Sequence, residues 1–456
     1  MPVCAKSFAE MEEACARASA VGDIVELRLD CLENNLCLDN SDLIPGLDSL
    51  TRKLAGPFIV TFRPSEQGGY RVLGRPEREA FWVGIGARWE TLCDIEADLV
   101  SECSFDWARV IVSHHDFSGV PDDLEEIYAR LAATPARIVK IAVQANDITD
   151  CIRVFRLLER GLKEKRELIA IAMGNAGIAT RILGPSRGAY LTYGSLEDAS
   201  ATAPGQVNAE QMRSVYRIDQ IDRETMICGL VGLPVMHSVS PHMHNAAFAV
   251  EGVNGVYLPL EVRDVELFVR RMIHPKTREL DWNVRGLSVT APHKSSVMEL
   301  LDWISPEAQE IGAVNTVVVE GHELHGYNTD VHGLIEPLRD VLGSLDGRRV
   351  AVIGAGGAAR AAVWAIRRDK AEVMLFARDP NKAKPMSEDF GVQCEQLQTA
   401  RFAGYDVVIN ATPEGPATAD QLAGAGLVYD LIYNPIETGF LAEAREAGCQ
   451  TLGGLP

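Results

Sequence analysis

The sequence has no apolar run that approaches the roughly 20 residues a membrane-spanning helix needs. Its opening stretch, MPVCAKSFAEMEEACA, lacks the basic segment followed by an apolar segment that marks a secretory signal. Internal repeats and low-complexity tracts are also missing. These absences argue against the membrane-spanning, secreted and repeat classes, and they predict a folded cytoplasmic protein.

Cysteine pairs at metal-binding or redox spacing are absent as well. None of the ten cysteines belongs to a C-x-x-C motif. They stand singly, within periodic segments in the case of Cys15 and Cys151, or near a loop in the case of Cys31. The sequence therefore predicts no metal site, and it predicts reduced structural thiols throughout.

Basic residues are few relative to acidic ones. The 44 lysines and arginines face 64 aspartates and glutamates, which gives a formal net charge of −20. Binding to nucleic acid or to an anionic membrane needs a basic face, so we expect neither partner. Small anionic substrates need only a local basic pocket, and small molecules are the expected ligands. The sequence gives no indication of the oligomeric state.

The length and the patterning predict several domains. A chain of 456 residues exceeds what one ordinary hydrophobic core holds. Strand-like and helix-like segments alternate over residues 1–215, and the polar stretch 216–226 interrupts them as a predicted linker. A smaller alternation covers 227–334, and a strand, a glycine turn and a helix form the start of 335–456. The sequence thus predicts a first domain, a linker and two further domains with these boundaries.

Seven apolar segments of the first domain have the length and composition of buried parallel strands, and an eighth fits at the start of the chain. They cover 23–30, 58–63, 91–96, 109–115, 137–143, 168–174 and 190–194. Amphipathic segments between them, such as 124–133 and 151–163, predict helices. This alternation predicts a (β/α)₈ barrel, with a doubly wound sheet as the alternative. Polar residues within or just after the strands favour the barrel, because a barrel gathers its active site there. These residues are Glu26, Arg28, Arg63, Glu96, His115, Lys140 and Arg181.

Three of these residues have the chemistry of covalent catalysis on a ketone. Lys140 lies in the middle of the apolar strand RIVKIAV, where burial disfavours the ammonium form and a neutral amine can form an imine. His115 ends another strand, and histidine transfers protons near neutral pH. Glu96 ends TLCDIE and could fix the tautomer of His115. Taken singly, each residue also fits a structural role, as an edge lysine, a capping histidine or a surface ion pair.

The remaining residues of this group could together line a pocket that binds an anion. Glu26 and Arg28 alternate with apolar neighbours, so both point to one face of their strand. Arg63 and Arg181 offer guanidinium forks for a carboxylate, with surface ion pairs as the alternative. The segment APGQ is typical of a turn whose Gln206 could cover a ligand.

The segments VELRLD, TFRP…GG, DIE, SHHDF, VKIAV, MGNAGIATRIL and APGQ stand in the order found in type I 3-dehydroquinate dehydratases. Residues 1–210 resemble that family. The resemblance implies that Lys140 forms a Schiff base with 3-dehydroquinate, that His115 is the acid and base, and that Glu96 orients His115. It further implies a substrate pocket of Arg181, Glu26, Arg28, Arg63, Thr202 and Gln206.

The chain departs from this family at three points. It reads EQGG where the family usually reads EGG, and Thr202 stands where many members carry serine. The start is short, so the hairpin that often closes the bottom of the barrel is barely present. The implied reaction is removal of a C2 proton from the iminium, loss of the C1 hydroxyl and hydrolysis to 3-dehydroshikimate.

A glycine turn in the last domain indicates nucleotide binding. GAGGAA (354–359) follows an apolar strand and begins a helix, so Gly354, Gly356, Gly357 and Ala358 would bring a pyrophosphate close to the helix N-terminus. Simple close packing of the turn is the alternative.

Basic residues at the tip of the next strand indicate whether this domain would bind NAD or NADP. An NAD enzyme usually places an acid there for the ribose 2′-hydroxyl. Here Arg378 precedes Asp379, and Lys382 follows. Arg378 could pair with a 2′-phosphate and stack on adenine, so the sequence favours NADP.

Short polar motifs upstream of the glycine turn supply a second set of candidate site residues. Ser238 and Ser240 lie two apart in a loop and could both offer hydroxyls to a carboxylate. Lys294 ends LSVTAPHK and Asp330 ends GYNTD, and together they would make a proton-transfer pair. Turn and cap chemistry is the alternative for serine, asparagine and aspartate at such positions.

These strings closely resemble shikimate dehydrogenases across residues 227–456. The resemblance implies that Ser238 and Ser240 bind the substrate carboxylate and that Lys294 with Asp330 handles the proton. It also implies substrate contacts from Thr290, Asn315 and Tyr433, and a cofactor contact from Thr412 in NATPEG. The family continues beyond the position of Pro456 with a helix whose glutamine contacts the substrate. We therefore expect either a truncated sequence or an impaired second module.

The two resemblances together predict an α/β chain with two fused enzymes, a (β/α)₈ dehydratase barrel and a two-lobed dehydrogenase with a Rossmann domain. The first would make the compound that the second reduces with NADPH. One alternative is an active dehydratase fused to a dehydrogenase-like binding module that lacks turnover. A catabolic quinate/shikimate dehydrogenase is another, although Arg378 disfavours it because NAD would suit oxidation better.

Overall fold

The computed structural model describes residues 1–33, 40–54, 56–85, 90–100, 106–197 and 202–454. The chain divides into two units, Met1–Arg285 and Gly286–Pro456. Each unit is built from strands and helices that alternate along the chain.

Seven parallel strands lie side by side in chain order in the first unit. They are β1 (Pro2–Val3), β2 (Val25–Arg28), β3 (Phe58–Thr61), β4 (Leu92–Glu96), β5 (Val110–Asp116), β6 (Ile138–Gln144) and β7 (Glu167–Met173). The register places Glu96, Ser113 and Lys140 beside one another across β4, β5 and β6. The carboxyl ends of these strands therefore bring polar side chains to one edge.

Helices follow most of these strands and cover their apolar residues. They are α1 (Phe8–Val21), α2 (Asn40–Lys53), α3 (Arg75–Ile85), α4 (Leu124–Ala132), α5 (Cys151–Lys163), α6 (Ile178–Leu183) and α7 (Ala209–Ser214). The helix α5 matches its predicted segment, and its spacing of apolar residues buries Ile152, Phe155 and Leu158. The predicted (β/α)₈ class is confirmed by these alternating parallel strands and helices.

One predicted strand is wrong. Six of the seven predicted segments overlap the strands β2 to β7. The strand β1 is the one expected at the start of the chain. Residues 190–194 form no strand, and only the preceding Ala189 makes a bridge, to Leu168. The carbonyl oxygen of Tyr193 instead accepts a hydrogen bond from the Arg181 guanidinium at 3.4 Å. A backbone group that bonds to a side chain is not free to extend a sheet.

The rest of the first unit is a strand–helix–strand segment. It comprises β8 (Met226–Gly232), α8 (Ser240–Val250), β9 (Gly255–Glu261) and α9 (Val265–Phe268), which continues as a π-turn over Val269–Ile273. The strands β8 and β9 pair in parallel, as expected for a right-handed crossover through a helix.

The second unit begins with a small mixed sheet. Its elements are β10 (Val284–Val289), β11 (Trp303–Ile304), α10 (Pro306–Ile311), β12 (Thr316–Glu320), β13 (Glu323–Tyr327) and α11 (Asp330–Leu342). The strand β12 pairs antiparallel with both β10 and β13, and β11 pairs in parallel with β13.

A six-stranded parallel sheet completes the second unit. Its elements are β14 (Arg349–Ile353), α12 (Gly357–Arg368), β15 (Glu372–Ala377), α13 (Pro380–Phe390), β16 (Gln393–Gln396), β17 (Val407–Asn410), α14 (Ala419–Leu422), β18 (Leu427–Asp430), α15 (Gly439–Glu446) and β19 (Gln450–Leu452). The strand order is β16-β15-β14-β17-β18-β19, so the order reverses between β14 and β17. This is the doubly wound nucleotide-binding arrangement, and the predicted Rossmann class is confirmed.

The expectation of reduced thiols throughout is wrong at one pair. Cys4 and Cys31 form a disulfide with a Cα–Cα distance of 5.4 Å. Six cysteines of the described residues, Cys15, Cys93, Cys151, Cys228, Cys394 and Cys449, are outside any disulfide. The chain brings two residues 27 apart into contact because β1 lies directly beside β2. The spacing of the cysteines along the sequence did not indicate that Cys4 and Cys31 would be in contact.

A search of the described helices for a membrane span found none that is long and apolar enough.

Candidate active sites

Eight of the nine residues predicted for the first site line one cavity at the carboxyl edge of the parallel strands. They are Glu26, Arg28, Arg63, His115, Lys140, Arg181, Thr202 and Gln206. The structure therefore brings these predicted residues together. Gln67 and Tyr193 also line the cavity, and neither was singled out in the sequence.

Lys140 is held by a carboxylate that sequence analysis missed. Its Nζ lies 2.7 Å from Asp94 Oδ2, 3.8 Å from Glu26 Oε1 and 4.3 Å from the centroid of the Tyr193 ring. Asp94 precedes Glu96 by two residues on β4, so the alternation of the strand places both carboxylates on the same face. The DIE motif contained this signal, but it did not indicate which of the two acids would meet the lysine.

The charge of Asp94 is fixed by its neighbours. The residue is fully buried, and burial alone would raise the pKa of the Asp94 carboxyl. The cationic Arg63 and Lys140 outweigh burial and hold the pKa of Asp94 well below its usual range. Asp94 is therefore a permanent anion beside the Lys140 amine.

Glu96 does not make the predicted hydrogen bond with His115. Its two oxygens pair with Arg63 Nη1 at 3.0 Å and Arg78 Nη1 at 3.2 Å. Burial raises the pKa of Glu96 to about 7, against the opposing pull of Arg63 and Arg78. Within the part of the chain that the structure describes, His115 Nδ1 has no hydrogen-bond partner. The assignment of Glu96 as the residue that orients His115 is thus corrected, because the two arginines occupy its carboxylate.

His115 is a neutral base in this environment. Its Nδ1 atom is enclosed, and burial lowers the pKa of His115 well below 6.5, with the charges of Arg63 and Lys140 acting in the same direction. An imidazole with a depressed pKa is unprotonated near neutral pH and can accept a proton.

Gln67 presents a second enclosed polar atom to the same cavity. Its Oε1 has no hydrogen-bond partner among the described residues. The turn that follows requires glycine, because a Cβ at Gly69 would lie 1.9 Å from the carbonyl oxygen of Arg63. The departure EQGG therefore places an amide, rather than a carboxylate, at the lining of the site.

The three arginines of the cavity differ in their partners. Arg28 pairs with both oxygens of Asp30 at 2.9 and 2.8 Å, and Arg63 pairs with Asp94 and Glu96. Among the described residues, Arg181 donates only to carbonyl oxygens, those of Tyr193 and Pro204.

Arg181 is consequently the cation that is available to a ligand. It is 1% exposed, and burial lowers the pKa of its guanidinium to about 10. Its Nε has no partner among the described residues. A buried cation that lacks a counter-anion is suited to bind the carboxylate of a ligand.

The second candidate site contains the predicted pair of Lys294 and Asp330, which lie in contact in the second unit. Lys294 Nζ lies 2.5 Å from Asp330 Oδ2, and Asn315 Nδ2 donates to Asp330 Oδ1 at 2.7 Å. Lys294 follows β10, Asn315 precedes β12 and Asp330 begins α11, so three separate elements converge here. Lys294 also packs against the glycine turn, since a Cβ at Gly357 would lie 2.8 Å from its Cδ. The candidate proton donor therefore lies next to the predicted nucleotide loop.

The other predicted residues of the second site have separate surroundings. Ser238 and Ser240, in the first unit, place their Oγ atoms 3.1 Å apart at the start of α8. Thr290 directly follows β10, and Tyr433 lies after β18 with 39% of its surface exposed. Asn328, which lies in the GYNTD motif with Asp330, shapes a turn, because it accepts a hydrogen bond from Asp330 N and donates one to Ala313 O.

A cavity of about 670 Å³ lies where the order of the parallel sheet reverses, between β14 and β17. Ligands of doubly wound folds bind in that crevice. Its lining includes Gly354, Arg378, Lys382 and Thr412. Gly356, Gly357 and Ala358 form the N-terminus of α12, where free N–H groups suit a phosphate. The predicted cofactor residues therefore lie where a dinucleotide would bind.

Comparisons with known proteins show which families the chain resembles. Residues 1–223 match the family described as type I 3-dehydroquinase, and residues 230–317 match the shikimate dehydrogenase substrate binding domain. A bifunctional 3-dehydroquinate dehydratase/shikimate dehydrogenase from Arabidopsis thaliana is 32% identical over 99% of this chain and 78% of its own length. A shikimate dehydrogenase (NADP(+)) from Caldanaerobacter subterraneus subsp. tengcongensis is 40% identical over 52% of this chain and 88% of its own length.

Among solved structures, the dehydroquinate dehydratase and shikimate dehydrogenase from S. pombe covers 100% of this chain and 92% of its own length. Its identity is 23% and its TM-score is 0.42.

Proposed function

The chain belongs to the family of bifunctional 3-dehydroquinate dehydratases/shikimate dehydrogenases, and we propose that its two sites catalyse successive reactions. The protein is a lyase and an NADP-dependent oxidoreductase of the shikimate pathway. It dehydrates 3-dehydroquinate to 3-dehydroshikimate, which it then reduces to shikimate. The domains that carry these reactions are 1–215 for the first, and 227–334 with 335–456 for the second, joined by 216–226.

The first reaction proceeds through an imine on Lys140. The amine attacks the C3 ketone of 3-dehydroquinate, and loss of water gives an iminium that withdraws electrons from C2. Neutral His115 removes a C2 proton to form an enamine, and the C1 hydroxyl leaves with the proton that His115 returns. Hydrolysis then releases 3-dehydroshikimate and frees Lys140.

The residues around Lys140 have distinct roles in this proposal. Asp94 stays ionised and orients Lys140 through their ion pair. Arg181 binds the substrate carboxylate, while Arg63 fixes Asp94. Gln67 and His115 each offer an enclosed polar atom that a bound substrate hydroxyl can satisfy.

The observation that carries this proposal is that Lys140, His115 and Arg181 line one cavity, with Asp94 2.7 Å from the Lys140 amine. Borohydride added with 3-dehydroquinate should trap a secondary amine on Lys140, which peptide mass spectrometry locates. Lys165, a lysine on the turn after α5, should remain unmodified in the same digest. An adduct at another lysine, or none, would refute the imine.

The second reaction rests on the Lys294–Asp330 pair. When bound, NADPH supplies a hydride to the ketone carbon of 3-dehydroshikimate. Lys294 donates the proton that the ketone oxygen takes up, and Asp330 orients the Lys294 side chain through their ion pair. Asn315 holds Asp330 and contacts a ring hydroxyl, with Thr290 and Tyr433 beside the ring. Ser238 and Ser240 bind the substrate carboxylate.

A dehydrogenase-like module without turnover is the second candidate for residues 227–456. Oxidation of shikimate with NADP⁺, followed by NADPH absorbance, separates the two. Turnover that disappears in Asp330→Asn supports the enzyme, while NADPH binding without any turnover supports the binding module.

A further inference from the structure

The pocket for the adenosine end of the cofactor contains an ion pair. Arg378 Nη1 lies 2.9 Å from Glu414 Oε2, and both side chains line the cavity at the sheet reversal. Lys382 and Asp379 line the same cavity. Two cations therefore face two carboxylates, and this pocket carries no net positive charge for a 2′-phosphate.

The two carboxylates, those of Asp379 and Glu414, have different interaction partners. Asp379 caps α13, because its side chain accepts a hydrogen bond from Asn381 N at 3.1 Å. Among the described residues, Glu414 makes an ion pair with Arg378 alone, and its side chain is 66% exposed. Glu414 is thus the acid that neutralises the cation expected to read the cofactor.

The backbone of Glu414 is fixed in this position. Its carbonyl oxygen accepts hydrogen bonds from Asn410 Nδ2 at 2.9 Å and from Thr412 Oγ1 at 3.0 Å. Asn410 is the last residue of β17, so the loop is anchored to the sheet at its crevice. The loop that carries Glu414 is consequently anchored beside the pocket.

We propose that Glu414 sets the dinucleotide preference of this site by competing with the adenosine 2′-phosphate for Arg378, so that NADH is accepted beside NADPH. The inference rests on the proposed function of the second site. A phosphate of charge about −1.5 to −2 must separate Arg378 from Glu414 and then lie near a carboxylate. A 2′-hydroxyl is neutral, so NADH can bind with the ion pair intact.

The test is Glu414→Gln, with Glu388→Gln as the matched control. Glu388 is an exposed acid on α13 that pairs with Lys384 at 3.7 Å and does not line the cavity. Direct binding of NADPH and NADH is measured by nucleotide fluorescence on the full chain. Removing one exposed charge near a phosphate is worth roughly 1 kcal/mol, or about fivefold in affinity.

We expect Glu414→Gln to tighten NADPH binding about fivefold and to change NADH binding less than about twofold. Glu388→Gln should change neither. Equal changes for both nucleotides, or no change, would overturn the proposal. Shikimate oxidation is assayed in parallel, so that the two failures can be distinguished. If the nucleotide preference shifts but shikimate is not oxidised, the proposed reduction is rejected and the role of Glu414 stands. If shikimate is oxidised but the preference does not shift, the role of Glu414 is rejected and the proposed reduction stands.

Discussion

One oxygen of Asp94 serves two cations, since Oδ2 lies 2.7 Å from Lys140 Nζ and 2.7 Å from Arg63 Nη2. The other oxygen, Oδ1, has no hydrogen-bond partner among the described residues. Asp94 therefore links the candidate nucleophile to the arginine that also holds Glu96, and it leaves one acceptor for a ligand.

Asp94→Asn should disable the dehydratase and weaken the fold. Removing one partner of a buried charge pair costs about 3–5 kcal/mol of unfolding free energy, because the cations remain uncompensated. We expect dehydration to fall at least about a hundredfold. Asp98→Asn is the control, since Asp98 pairs with Arg78 but its side chain is 42% exposed. Steady-state assays measure dehydration, and thermal unfolding measures the stability of both variants. A wild-type rate of dehydration in Asp94→Asn would contradict the proposed role of Asp94.

The depressed pKa of His115 predicts a pH dependence of stability. Below the unfolded pKa of about 6.5 the unfolded chain binds a proton that buried His115 does not. The free energy of unfolding should therefore decrease as the pH falls from 6.5 towards the lower pKa of the folded state, by up to about 1.4 kcal/mol per pH unit.

His115→Gln should remove this contribution and flatten the profile over that pH window. His322→Gln, at an exposed residue between β12 and β13, is the control and should leave the slope unchanged. Chemical denaturation at several pH values measures the slopes. Identical slopes in His115→Gln and the unmodified chain would contradict the assignment.

Arg181→Gln should weaken substrate binding without weakening the fold. Arg181 has no carboxylate partner among the described residues, so its loss leaves no buried acid unpaired. A charge-assisted hydrogen bond is worth about 1.5–3 kcal/mol, so KM for 3-dehydroquinate should rise about tenfold to a hundredfold.

Arg187→Gln is the matched control for this change. Arg187 is equally buried but lies 3.6 Å from Glu159 and does not line the cavity. Its loss should lower thermal stability and leave KM unchanged. If Arg181→Gln instead lowers stability with KM unaltered, the guanidinium is structural.

The two activities should respond independently to single changes. Asp330→Asn should reduce shikimate oxidation at least about a hundredfold, because Lys294 loses its counter-charge and its orientation. Dehydration should stay at the wild-type rate. Lys140→Ala should produce the reverse pattern, with unchanged NADPH binding. Loss of both activities from either change would indicate global unfolding, which circular dichroism would reveal.

The sequence alone determined the local elements and the identity of most site residues. Apolar periodicity located α5 over 151–163, and a lysine in an apolar strand identified Lys140 as a candidate nucleophile. The glycine turn at 354–359 predicted a nucleotide crevice that the sheet order then placed. Such features depend on neighbours within a few residues of one another, and one sequence contains all of them.

Only the tertiary structure decided which charged groups meet. Asp94 and Glu96 alternate on one strand, and the positions of Arg63, Arg78 and Lys140 on other elements determined that Asp94 faces the amine. Cys4 and Cys31, 27 residues apart, and Arg378 and Glu414, 36 apart, meet for the same reason. These pairings depend on how strands and loops distant in the chain align, and coulombic and hydrogen-bond energies act over only a few ångströms.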